Sequence, residues 1–469
     1  MLYRKVLIKE LINLIILIYL MFSLLLLMFY IIFLPDWEQK FITVLSALAA
    51  IGGLIVIYNK IGLGLSIIYL LYLSLSHLGV PVSLLFDSEA LLKFRKYAPG
   101  WLWIDNHMAT YSIALSGLGI ISFSLTSFFI SNLRKKDIKE KLKIDYKGPK
   151  EIYTMGFVLL IISTFYLIGK VVNGELQIAG TYSDFRDSIL NLKGYPWVLF
   201  LLATGLSFIS ASGDKKAIKQ GFILFLIPSF LLVIGGNRGE VLYPLAGAVG
   251  ILFLRKFKVN FKILVLSVLV FFILIPSVFQ LRQQNIGDIN IKENLTINIT
   301  DPFVEIGHAL RPLIHTTNWI ENGESFGHGA SYLLPIQRMI GIIPFLEKPQ
   351  LDSSNKHYLK ERLPTQGYSV LAEAYYNFGK IGILMIPALI SLVLFILGDK
   401  LNNYWSLAIA GAISAVLVNN VRNTFIFVPG QILMIVILLL ITWLIYNYRL
   451  KIKNSVTLEG EHKINNYEK

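Results

Sequence analysis

The sequence predicts an all-α fold, a polytopic transmembrane helical bundle. Three observations carry that prediction: 55% of the 469 residues are apolar, only 15% are charged, and the apolar residues run in long unbroken stretches. A soluble domain carries about 25% charged residues, and about 18 consecutive apolar residues suffice to cross a hydrocarbon core. Twelve runs read as spans, ten of them at least 18 residues long: 11–34, 41–58, 61–86, 107–131, 152–172, 195–212, 217–235, 240–255, 261–280, 381–398, 404–420 and 430–447. The first follows a basic start (Arg4, Lys5, Lys9). It is longer than a signal-peptide core and no small-residue cleavage site follows it, so it reads as a retained span. Pro228, Pro244, Pro276 and Pro387 fall inside runs, where membrane helices tolerate them.

The chain divides accordingly. Residues 1–280 hold nine spans, 281–380 form an outer loop domain, 381–448 hold three more spans, and 449–469 form a polar cytoplasmic tail expected to be unstructured. A loop of about 100 residues with prolines and aromatics throughout is expected to be ordered and functional.

The formal net charge is +14, which invites a nucleic-acid reading. The distribution excludes it. With both termini inside, the inner segments hold 25 basic and 10 acidic residues and the outer segments 18 and 19. The stretch 134–150 alone carries eight basic residues, and Arg255-Lys256-Phe257-Lys258 and Lys215-Lys216 are also inside. This is the asymmetry that orients membrane proteins.

Charged groups at the outer face are costly there and mark candidate chemistry. Gly235-Gly236-Asn237-Arg238-Gly239-Glu240 reads as a tight reversal that places an arginine beside a helix N-terminus, with Asn237 as a cap. An Arg238–Glu240 pair stabilising the turn is the structural alternative. In Asp301-Pro302-Phe303-Val304-Glu305-Ile306-Gly307-His308-Ala309-Leu310-Arg311, Asp301 reads as a cap and Pro302 as the first helical residue. Glu305, His308 and Arg311 then share one face, where a carboxylate, an imidazole and a guanidinium can take a proton and hold an anion. A solvated face of an interfacial helix is the plain alternative. In Gln366-Gly367-Tyr368-Ser369-Val370-Leu371-Ala372-Glu373-Ala374-Tyr375-Tyr376-Asn377-Phe378-Gly379, the residues Glu373, Tyr376 and Asn377 share a face suited to sugar or to an interface belt. Arg186, Arg282, Arg338 and Arg422 are outer arginines, which run against the positive-inside tendency; Arg282 and Arg422 sit by span ends, at the level of a lipid phosphate.

With no cysteine, disulfides, thiolate metal sites and cysteine nucleophiles are excluded. No P-loop, G-x-S-x-G or H-E-x-x-H occurs. Asp36-Trp37-Glu38 is the nearest approach to an acidic metal motif, and His315 and His328 read as structural. No cofactor and no metal are expected.

These residues together resemble the Wzy-type oligosaccharide repeat-unit polymerases, which serve O-antigen, capsule and exopolysaccharide synthesis. The resemblance runs from about residue 181 onward. It rests on the Gly236-Asn237-Arg238-Gly239-Glu240 turn, the Glu305-x-Gly307 motif, the run from Tyr368 to Gly379 and the large late outer loop. It implies transfer of a glycan from undecaprenyl diphosphate to an incoming lipid-linked repeat unit, at the outer face of the cytoplasmic membrane. A flippase and a chain-length regulator are the implied partners. In that reaction Glu305 or His308, then Glu373, would be the base. Arg238, Arg282, Arg311 and Arg422 would hold the diphosphate, and Tyr376, Asn377 and Arg186 would contact sugar. Inversion at the anomeric carbon is expected from a single displacement. A glycan ligase shares the topology, and its acceptor would distinguish it. A transporter would show paired halves and midplane charges, which this sequence lacks.

Overall fold

The computed structural model describes residues 2–88, 104, 107–132, 147–178, 182–192, 194–235, 239–255, 300–340, 356–363, 367–399 and 403–467, and every regular element among them is helical. In chain order the first nine are α1 (Leu2–Phe33), α2 (Gln39–Ile61), α3 (Leu65–Phe86), α4 (Met108–Asn132), α5 (Lys150–Val172), α6 (Tyr182–Asn191), α7 (Tyr195–Ser212), α8 (Lys215–Gly235) and α9 (Gly239–Leu254). The segment between the ninth and tenth expected spans adds α10 (Asp301–Ile306), a 3₁₀ turn (Gly307–Ala309), α11 (Leu310–Glu321), α12 (Ala330–Ile340) and α13 (Leu359–Arg362). The chain closes with α14 (Val370–Asp399), α15 (Tyr404–Asn420), a second 3₁₀ turn (Phe425–Phe427) and α16 (Val428–Tyr467).

Among the described residues nine helices are long and apolar enough to cross a membrane, and α9 and α15 are shorter apolar helices. Together these account for eleven of the expected runs; the remaining one, 261–280, lies outside the described residues.

Composition sorts the helices into centre and rim. In α4 and α7, 78% of the spanning window is buried, against 28% in α1 and α16. The central pair is rich in small and hydroxyl residues, which let backbones approach where lipid offers no hydrophobic drive. Hydroxyls of α4 bond locally: Ser116 Oγ donates to Ser112 O at 2.8 Å and Ser124 Oγ to Ile120 O at 2.8 Å. Ser127 reaches across to Ser391 of α14 at 2.6 Å. The rim helices turn Leu, Ile and Phe outward.

The alternation of loops is internally consistent. At one end Lys60 pairs with Glu10 (2.9 Å), Lys147 with Asp214 (3.2 Å) and Arg449 with Glu151 (2.8 Å). At the other end lie Lys170–Glu175 (2.6 Å), His107–Glu321 (2.7 Å) and Arg362–Glu324 (2.7 Å). Each pair joins segments expected on the same side.

Three expectations change. The tenth span was expected to begin at 381, but α14 starts at Val370, and its first residues are buried. A kink at Gly379 (φ 60°, ψ −142°) divides it. That φ is in the region glycine favours, and the break frees carbonyls one turn back. The loop before α12 takes them: Gly327 N–H donates to Tyr376 O (2.8 Å) and His328 N–H to Asn377 O (3.0 Å). The polar tail is helical through Tyr467, since beyond the last span it has no proline and a single glycine, Gly460. Finally, Thr300 takes the cap position and Asp301, buried, is the first helical residue.

One close approach fixes the α10–α11 segment on the bundle. A Cβ on Gly79 of α3 would lie 3.1 Å from Gly307 Cα, and one on Gly307 would lie 3.0 Å from the Gly79 carbonyl carbon. Backbone meets backbone there, which explains the glycine of Glu305-x-Gly307. Gly307→Ala is therefore expected to destabilise the protein by about 1–3 kcal/mol, the usual cost of overpacking. Thermal unfolding of purified protein measures this; an unchanged midpoint would show that the two segments are not in contact.

Candidate functional site

The segment from α10 to α11 carries the candidate base. The turn at Gly307–Ala309 is 3₁₀, and in that geometry residues i and i+3 nearly eclipse. The intervening apolar residues Val304, Ile306, Leu310 and Leu313 are buried, and Glu305, His308 and Arg311 are half-buried. These polar residues alternate with the anchored apolar ones. His315, a turn further on, joins the polar residues: Arg311 Nε donates to His315 Nε2 at 3.4 Å.

Arg422 arrives from the other end of the sequence, on the turn that follows α15. Asn423 Nδ2 donates to Asn419 O (3.0 Å) and to Asn419 Oδ1 (2.8 Å), and Asn420 Nδ2 donates to Asn423 O (3.0 Å). The extended residues before α14 cross the turn: Tyr368 N–H donates to Arg422 O (3.2 Å) and Val370 N–H to Val421 O (3.4 Å). The guanidinium then lies by α9. A Cβ on Gly239 would be 3.5 Å from Arg422 Nη1 and 3.5 Å from Tyr243 Oη. The missing side chain lets the cation approach the first turn of a 16-residue helix, the positive end of its dipole, which favours anions.

The electrostatics tie these pieces into one site. His308 has its pKa driven down to about 3, first by burial and then by the charges of Arg422 and Arg311. It is a neutral imidazole, able to accept a proton. His315 is lowered too, by burial and by Arg311, which suits its role as acceptor. Burial works against the charge on Arg422, yet its pKa stands above the ordinary value because Tyr72, Tyr243 and Glu305 offset that cost. Tyr72 and Tyr243 meet edge to face, 6.1 Å between ring centres.

The third expected cluster is placed elsewhere. Glu373 is 1% exposed, and both oxygens are engaged: Ser331 Oγ donates to Oε1 (2.6 Å) and Phe425 N–H to Oε2 (2.7 Å). That carboxylate, expected as an alternative base, clamps α12 and the second 3₁₀ turn onto α14. Asn377 is fully buried and donates to Ser331 Oγ (2.7 Å) and Glu373 O (2.8 Å). Tyr376 is also fully buried, with its hydroxyl 3.0 Å from His357 Nδ1. In this structure both side chains, expected to contact sugar, are turned inward to protein partners.

Arg238 and Arg282 lie outside the described residues, as does Asn237. Gly235 and Gly239 flank that gap, and Phe185 of α6 packs on Gly235. Arg186 stands next on α6 and Arg338 on α12, with side chains outside the description. Glu240 accepts from the Tyr195 hydroxyl. His328 is in the turn that caps Asn377. Asp36 and Glu38 are exposed, with Trp37 stacked on Tyr30 at 5.7 Å. Among the described residues no group of three or more His, Asp or Glu is placed to hold a metal. A cleft of about 500 Å³ is lined by Glu175, Asp184 and Asp187, and its negative charge makes it unfit for a diphosphate.

Sequence reasoning missed Tyr72, Tyr243 and the approach of Arg422 to Gly239. Tyr243, four residues past Gly239 and so on its face, carried a helical-spacing signal; Tyr72 carried none.

The comparisons with known proteins agree with this architecture. The family model for O-antigen polysaccharide polymerase Wzy matches residues 12–453. Protein CapE of Staphylococcus aureus is 35% identical over 375 residues, which cover 79% of this chain and 82% of that protein. No solved structure matches. With the family model spanning nearly the whole chain, this membrane protein belongs to the O-antigen polysaccharide polymerase Wzy family.

Proposed function

We propose that the chain lengthens a polysaccharide by moving a glycan from one undecaprenyl diphosphate to the terminal sugar of a second lipid-linked repeat unit, at the outer face of the cytoplasmic membrane. One observation carries the reading: His308, Arg311, Arg422 and the N-terminus of α9 converge at the bundle end opposite the basic loops. A neutral imidazole flanked by two guanidinium groups is what a hydroxyl acceptor and a diphosphate leaving group require together.

The acceptor hydroxyl oxygen bonds to the anomeric carbon. The bond from that carbon to the diphosphate oxygen breaks, and its electron pair leaves with the lipid diphosphate. The hydroxyl proton passes to His308. Arg422 and Arg311, with Arg238 and Arg282 by their place in the sequence, hold the diphosphate and take up its growing charge. Glu305, within electrostatic reach of Arg422, orients that guanidinium. One displacement inverts the anomeric configuration. No step calls on a metal. A flippase delivering units and a regulator of chain length are the partners such a reaction needs.

The test is purified protein in nanodiscs with a defined lipid-linked repeat unit. A ladder of longer lipid-linked glycans is expected, with and without EDTA, and with inverted linkages by NMR. Absence of any product beyond one unit would sink the polymerase reading. Loss of the ladder in EDTA would overturn the arginine-based mechanism and return attention to Asp36 and Glu38.

A further inference from the structure

His77 lies fully buried on α3. Its two ring nitrogens are assigned by their partners. Nδ1 is 3.0 Å from Leu73 O, and a carbonyl only accepts, so Nδ1 carries the hydrogen. Nε2 is then the acceptor, and the Ser369 hydroxyl, 2.7 Å away, donates to it.

Ser369 sits in the segment that straps down the Arg422 turn. Tyr368 N–H and Val370 N–H, on either side of it, hold Arg422 O and Val421 O. Tyr368 Oη is 2.6 Å from Thr316 Oγ1 of α11, the helix that carries Arg311. Glu373, one turn on, holds Phe425 N–H beyond the turn. His77 fastens this strap to α3, and α3 also carries Gly79, against which the His308 turn is packed. Through one helix the cation from residue 422 and the imidazole from residue 308 are set in a common frame.

We propose that His77 is a positioning residue for donor binding: its unprotonated Nε2 holds Ser369, and through residues 368–370 this fixes Arg422 relative to His308. The inference rests on the proposed polymerase reading only for the identity of the anion. His77 and Ser369 are both fully buried, so neither touches substrate.

The experiment uses the full chain in nanodiscs, with farnesyl diphosphate as a direct binding probe and the lipid-linked repeat unit as substrate. His77→Phe keeps bulk and removes the acceptor. It is expected to raise the Kd for farnesyl diphosphate and the KM for the repeat unit about tenfold, the scale of one mispositioned charged hydrogen-bonding group, and to lower kcat as well, because the guanidinium it positions also serves the transition state. His77→Gln, whose amide oxygen can accept from Ser369, is expected to restore Kd and KM to within about threefold of wild type. Ser369→Ala in the His77→Phe background should add nothing, because the two share one bond. Ser369→Ala alone removes a single oxygen and carries the same test if His77→Phe does not fold. Unchanged Kd and KM in a folded His77→Phe or Ser369→Ala variant would overturn the proposal, as would a His77→Gln variant as impaired as His77→Phe. Should wild type bind farnesyl diphosphate without polymerising repeat units, and His77→Phe weaken that binding, the polymerase reading falls and the positioning role stands.

Discussion

Arg422→Ala is expected to lower kcat for polymerisation about 10²- to 10³-fold, the scale seen when one preorganised donor to a developing charge is removed. Arg422→Lys should recover only part of this loss. Lysine restores the charge but not the planar fork that grips two phosphate oxygens at once. The fold should survive either change, because what secures the turn is the backbone of residue 422: Tyr368 N–H holds Arg422 O, and the Asn419–Asn423 contacts close the loop. The measurement is single-turnover consumption of lipid-linked units by variants whose melting points match wild type. Wild-type kcat in a folded Arg422→Ala protein would remove this residue from the site. A loss confined to KM would mean that the guanidinium binds the diphosphate equally in ground and transition states.

The fold was largely legible in the sequence, and the reason is physical. A span must be apolar along its whole length and satisfy its own backbone bonds, so each declares itself locally. Tertiary geometry is declared less directly. The motif Glu305-x-Gly307 was visible, but the need for Gly307 became clear only when Gly79, more than two hundred residues away, met it. Arg422 was visible as an arginine on the unexpected side, and nothing local said that it would face Gly239 and His308. Glu373 was harder to place because a carboxylate, a tyrosine and an asparagine at helical spacing look alike whether they face a ligand or a neighbouring helix. The start of α14 misled for a related reason. Residues 370–378 are too polar to read as a span, yet they are buried against α11 and α12 and helical all the same. What the sequence cannot display is which partner a polar group finds across the fold.

His308 makes the sharpest prediction, because its protonation is coupled to occupancy of the site. In the free protein its pKa is held at about 3 by burial and by the guanidinium groups of Arg422 and Arg311. A base must be unprotonated to act, so activity is lost as pH falls through its pKa. For the free protein that loss lies below the usual working range, and kcat/KM should show no acid limb from His308 between about pH 5 and 8. A bound diphosphate places negative charge among the same two cations and offsets them. The pKa of His308 then rises, and the loss on acidification moves to higher pH. Since kcat reports the occupied site, its acid limb should lie above that of kcat/KM. Arg311→Gln removes one of the two cations and should shift the acid limb of kcat/KM upward as well. His308→Ala should lower kcat about 10²- to 10⁴-fold, the usual contribution of a general base, and abolish the acid limb of what activity is left. Rates measured from pH 4 to 9 on the three proteins decide it. If His308→Ala keeps an acid limb at the wild-type position, the titrating base is another group, and Glu305 is the next residue on the same face.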